Sequence, residues 1–112
     1  MLYAAIGLFA LAAVFGLLIL IKWLNNGTAS RAVVYSHGAF AAVALVLLIV
    51  YTLQNQTNML IGTVAAFVIV ALVGFYMFIQ DLQGKNSPMS IAFVHAAVAV
   101  GTFVVLLMAA FG

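Results

Sequence analysis

Two histidines, His37 and His95, are the residues of this chain best suited to chemistry, and each interrupts an otherwise apolar stretch. An imidazole can ligate a metal through its unprotonated nitrogen, pass a proton, or form a hydrogen bond to a neighbouring helix. Other chemistry has few residues to draw on. Asp81 is the only carboxylate side chain, so a hydrolytic site or a proton pump built on paired carboxylates is excluded within the chain. With no cysteine, disulfides, thiolate metal sites and iron–sulfur clusters are excluded too.

The histidines mark an internal repeat. Laid without gaps at an offset of 58 residues, residues 1–54 fall on residues 59–112. Phe9, Gly16, Ile21, Leu24, His37, Ala39 and Leu48 then meet Phe67, Gly74, Ile79, Leu82, His95, Ala97 and Leu106. About a fifth of positions are identical, and the register of the rare residues carries more weight than that count.

Composition fixes the class of protein that must position these rings. With 70% hydrophobic and 4% charged residues and a mean hydropathy of +1.42, the chain has too little polar surface to coat a soluble globule. A helix needs about 20 mostly apolar residues to cross the hydrocarbon. Four stretches qualify: Leu2 to Trp23, Ala32 to Leu53, Met59 to Ile79 and Pro88 to Phe111. The expected fold is an all-α membrane protein, an up-down-up-down bundle of four transmembrane helices made of two tandem two-helix repeats (1–54 and 59–112) in a single domain. The first stretch lacks a basic leader and is longer than a signal-peptide core, so it reads as a retained span.

The links carry turn chemistry and the few charges. In the third link Gly84 is placed to stop span three, Ser87 to cap span four and Pro88 to fill its first turn. Lys22 and Arg31 lie in the first link and Lys85 in the third, while the middle link has no charge. The positive-inside rule makes the first and third links cytoplasmic and puts both termini outside, on the periplasmic side of a bacterial inner membrane. Three basic residues give no electrostatic footprint for nucleic acid. Tyr3, Trp23 and Tyr51 near span ends read as interface anchors, and Asp81 and Lys85 are spaced to pair weakly. Asn26-Gly27-Thr28 and Asn55-Gln56-Thr57 fit the glycosylation pattern but fall on opposite sides of the membrane, as chance matches would.

His37 lies seven residues after Ser30 and His95 seven after Pro88, so each ring sits roughly 10 Å from the cytoplasmic end at 1.5 Å per residue. Spans two and four run parallel in such a bundle, so the two rings are expected to face each other at one depth. Two imidazoles alone do not complete the four ligands of zinc. They do suit an iron already held by four porphyrin nitrogens. Small residues beside the rings, Ser36, Gly38, Ala41 and Ala99, leave room for a flat group, and Gly16 and Gly74 fall near the same depth on spans one and three. Such residues also serve ordinary helix packing. Phe15, Phe40, Phe75, Phe78 and Phe93 are expected to cluster in the same half. Arg31 and Lys22 stand where haem propionates would emerge.

In Tyr35-Ser36-His37-Gly38-Ala39-Phe40-Ala41 and Phe93-Val94-His95-Ala96-Ala97-Val98-Ala99, the chain resembles the membrane-embedded b-type cytochromes, and short four-span bacterial membrane proteins with a histidine in spans two and four. The resemblance implies haem b, with His37 and His95 as axial ligands, and electron transfer to or from a quinone or a partner subunit. It departs from respiratory and ascorbate-type cytochromes b, which carry two histidines on a liganding span and stack two haems. Two readings from other classes stand beside it: a non-catalytic accessory or assembly subunit with structural histidines, and a handler of pigment, metal or haem. A face carrying Phe9, Val14, Phe67 and Leu72 would suit lipid or a second copy in a homodimer.

Overall fold

A computed structural model describes residues 1–112. The chain is all-α: helices α1 (Leu2–Leu24), α2 (Arg31–Gln54), α3 (Asn58–Leu82) and α4 (Met89–Phe111), with no strand. All four are long and apolar enough to cross a membrane, as an integral membrane protein requires. The expected spans are each recovered to within three residues at either end. The chain divides into two compact units, Met1–Asn55 and Gln56–Gly112. Each is a helical hairpin: α1 packs on α2, and α3 on α4.

The repeat is legible in the burial pattern. On α1 the buried residues are Leu2, Ala5, Phe9, Ala12 and Ile19. On α3 they are Leu60, Thr63, Phe67 and Met77, and each lies 58 residues after a member of the first set. Ala44 and Leu48 of α2 are likewise matched by Thr102 and Leu106 of α4. Spacings of three and four residues put each set on one stripe of its helix. Other faces of the helices carry exposed apolar side chains such as Leu17, Val46, Ile69 and Val100, the surface a helix offers to lipid when its backbone is satisfied internally.

The ends of α1 and α3 stop by the same device. Asn26 has φ 58° and Gly84, 58 positions on, has φ 73°. In both, the following residue's N–H reaches back five residues to a carbonyl, Gly27 to Lys22 at 2.8 Å and Lys85 to Gln80 at 2.9 Å. This is the Schellman closure, which needs a left-handed residue that glycine or asparagine adopts at least cost. Gly84 therefore stops α3 as expected.

Two expectations need correction. Ser87 does not cap α4. Pro88 is the residue before the helix and makes no side-chain cap bond, while the Ser87 hydroxyl donates to Gln80 Oε1 at 2.6 Å. The side-chain caps are Ser30, which accepts from Val33 N at 3.3 Å, and Thr57, which accepts from Leu60 N at 3.1 Å. Nor do Phe9, Val14, Phe67 and Leu72 form one face: Phe9 and Phe67 are buried, whereas Val14 and Leu72 are exposed. A step of five residues turns a helix by about 140°, so Phe9 and Val14 point to different sides.

Candidate functional site: a histidine seated on glycine in each hairpin

Each histidine lies against a glycine of the other helix in its own hairpin. A Cβ placed on Gly16 would stand 2.9 Å from His37 Cε1 and 3.2 Å from Nδ1. On Gly74 it would stand 3.0 Å from His95 Cε1. The absent side chain is the space each ring occupies. Gly16 and Gly74 were expected to open room for a porphyrin; the space directly above them is filled by imidazole.

The first seat also fixes one ring nitrogen. His37 Nδ1 lies 2.7 Å from the carbonyl oxygen of Ala12. A carbonyl only accepts, so Nδ1 carries the hydrogen and donates it. Ala12 is four residues before Gly16, and a helical side chain leans back over the turn N-terminal to its own Cα. Any larger residue at position 16 would cover this carbonyl; glycine leaves it open to the ring. With Nδ1–H engaged, the neutral ring keeps its lone pair on Nε2, the tautomer a metal-ligating histidine uses when its other nitrogen donates to a carbonyl.

Both rings are half-buried. One turn further along the same faces, Ala41 follows His37 and Ala99 follows His95, each half-buried. Next to His37, Gly38 is exposed, and a Cβ there would meet nothing within 4 Å. Ser36 is half-buried, and Arg31 is the exposed first residue of α2. There is no group of three or more His, Cys, Asp or Glu side chains that could hold a metal ion, so a metal at either ring would have to bring ligands of its own.

The phenylalanines sort into pairs. Phe15 and Phe40 stack between α1 and α2, with centroids 5.6 Å apart and planes 13° apart. Phe75 and Phe78, on α3, are 6.4 Å apart and tilted by 38°. Phe93 is exposed.

Sequence reasoning missed Ala12, the carbonyl partner of His37, although its place four residues before Gly16 was a usable signal. It also missed a polar chain at the end of α3: Ser87 Oγ donates to Gln80 Oε1, and Gln80 Nε2 donates to the Tyr76 hydroxyl at 2.9 Å.

Comparison of the chain with protein-family models, curated proteins and solved structures finds no match.

Proposed function

We propose that the protein is a b-type haem-binding membrane protein in which each hairpin contributes one axial imidazole, His37 from the first and His95 from the second. The observation that carries this reading is the duplicated seat: a histidine laid on a glycine in each repeat, with His37 Nδ1–H held by the Ala12 carbonyl.

The donor chemistry fits the group. A neutral imidazole with its Nδ1 hydrogen engaged offers Nε2 as a ligand, and the backbone acceptor strengthens that nitrogen as a donor. Gly38, Ala41 and Ala99 add no bulk beside the rings. Ligated by His37 and His95, haem would supply a one-electron couple, and two imidazole ligands would favour electron transfer over oxygen chemistry. Each ring lies against its glycine, and the Ala12 carbonyl fixes the orientation of His37. Arg31 and Lys22 are proposed to face the propionates.

Our reading of the few charges puts the α1–α2 and α3–α4 links on the cytoplasmic side and both termini outside, and the membrane we propose is a bacterial inner membrane. The electron partner is a quinone or a partner subunit, and the chain acts as a carrier without substrate chemistry of its own. A reduced-minus-oxidised visible spectrum of purified protein tests this: split low-spin bands are expected, and their absence removes the proposal.

One observation favours a second reading. The His37–Ala12 bond is an interhelical hydrogen bond, which is what a structural histidine in an accessory subunit would form. A colourless protein that loses stability on His37→Ala would support that role. An extracted chlorin or a bound copper would point instead to the handling of pigment or metal.

A further inference from the structure

The two hairpins differ where α3 and α4 approach their link. In the first, Phe15 and Phe40 stack across the helix pair; the residues 58 positions on are Val73 and Val98. The loss of the ring at position 73 coincides with a groove of about 470 Å³ lined by Leu72, Val73, Tyr76, Ser90, Ile91 and Val94. That volume is in the range of small-molecule sites, about 300–1,000 Å³. Its lining is apolar apart from the hydroxyls of Tyr76 and Ser90 and carries no charge.

The Tyr76 hydroxyl has a set direction. Ser87 donates to Gln80 Oε1, and Gln80 Nε2 donates to the phenol oxygen. The phenol has accepted its bond, and its own hydrogen is left to donate. A hydroxyl at the edge of hydrocarbon needs an acceptor, and the groove that Tyr76 lines can hold one. The bond to Gln80, one turn later, aims the phenol toward the end of α3.

At that end Lys85 is exposed, and the Schellman closure fixes its backbone. Lys85 donates its backbone N–H to the carbonyl of Gln80, the residue that also holds Tyr76. Groove residues Leu72 and Val73, the Tyr76 hydroxyl and Lys85 thus follow one another in chain order toward and past the end of α3. An acyl chain, an ester carbonyl and a phosphate follow one another in the same order in a glycerophospholipid.

We propose that this end of the second hairpin binds an anionic glycerophospholipid. Its acyl chain lies in the groove, an ester carbonyl accepts from Tyr76 and the phosphate meets Lys85. The inference is independent of haem. The first hairpin is an internal comparison: Leu18, Gly27 and Ala32 stand where the second has Tyr76, Lys85 and Ser90, and its own cations, Lys22 and Arg31, lie at other positions of the link.

The test is native mass spectrometry of the full chain released from detergent, with phosphatidylglycerol or phosphatidylcholine as the probe. One phosphatidylglycerol is expected to be retained about fivefold more strongly than phosphatidylcholine, the scale of one lysine near a membrane surface. Lys85→Gln should erase that preference and leave binding of both lipids. Tyr76→Phe should weaken both lipids several-fold, and Val73→Phe, which restores the aromatic residue of the first hairpin, should block both. Circular dichroism confirms that each variant keeps its helices, and Leu18→Phe in the first hairpin should change nothing. Equal retention of the two lipids by the wild type would overturn the proposal, as would indifference to Val73→Phe. Displacement of the phospholipid by decylubiquinone at equal concentration would also overturn it and assign the groove to a neutral quinone.

Discussion

His37 donates its Nδ1 hydrogen to the carbonyl of Ala12 at 2.7 Å, and it can do so because Gly16, one turn after Ala12, has no side chain to cover that oxygen. The same absence at Gly74 admits His95 in the second hairpin. The glycine and the histidine are therefore one unit, and it is present in both hairpins.

Substitution at the seats should separate them from other glycines. Gly16→Ala puts a carbon 2.9 Å from His37 Cε1, a distance that forces the ring to move, and is expected to cost about 1–3 kcal/mol by overpacking. Gly74→Ala, at 3.0 Å, should cost less. Gly38→Ala and Gly101→Ala meet open space and should be neutral or stabilising by up to about 1 kcal/mol through helix propensity. Thermal unfolding in detergent gives the order.

The tautomer can be read directly. In haem-free protein, nitrogen-15 NMR of the histidines should show His37 with its hydrogen on Nδ1, and Gly16→Ala should move the population toward the Nε2–H form. A wild-type ring protonated on Nε2 alone would contradict the Ala12 bond.

Helix ends offer a third set. Ser30→Ala and Thr57→Ala should each cost about 1 kcal/mol, since each hydroxyl accepts a first-turn N–H. Gly84→Ala, at φ 73°, should cost about 1–2 kcal/mol. Asn26→Gly at the equivalent position should be neutral or slightly stabilising, because asparagine already tolerates this conformation. A large loss for Asn26→Gly would show that its side chain does more than stop α1.

The buried stripes predict an asymmetry between the repeats. Ala5 and Ala44 are fully buried, and their counterparts Thr63 and Thr102 bond back to Met59 O and Val98 O at 2.7 Å. These hydroxyls are satisfied within their own helices, so Thr63→Ala and Thr102→Ala should be mild. Ala44→Thr adds volume where none is free and should cost about 1–3 kcal/mol. Equal effects in both directions would mean that the two hairpins pack alike at this level.

Much of this architecture was legible in the residues. Four apolar runs of membrane length can hardly be read otherwise, and the register of Gly16 with Gly74 and His37 with His95 exposed the duplication. The pairing of histidine with glycine was not seen, because depth along a helix says nothing of which side chain fills a gap. Gly16 was read as an opening for a cofactor when the nearest bulky group was the imidazole of the adjoining helix. Ser87 was misplaced for a similar reason: a serine before proline looks like a cap, but here its hydroxyl reaches Gln80, seven residues back and across the turn. Long-range hydrogen bonds of this kind leave no mark on local pattern.

We propose that one imidazole from each repeat ligates a single haem b. The most direct measurement is the reduced-minus-oxidised spectrum of wild type beside His37→Ala and His95→Ala, with haem counted per chain. One low-spin haem per chain is expected in the wild type, with loss of the low-spin spectrum in both variants. An unchanged low-spin spectrum in either variant, or a colourless wild type from haem-replete cells, would contradict it.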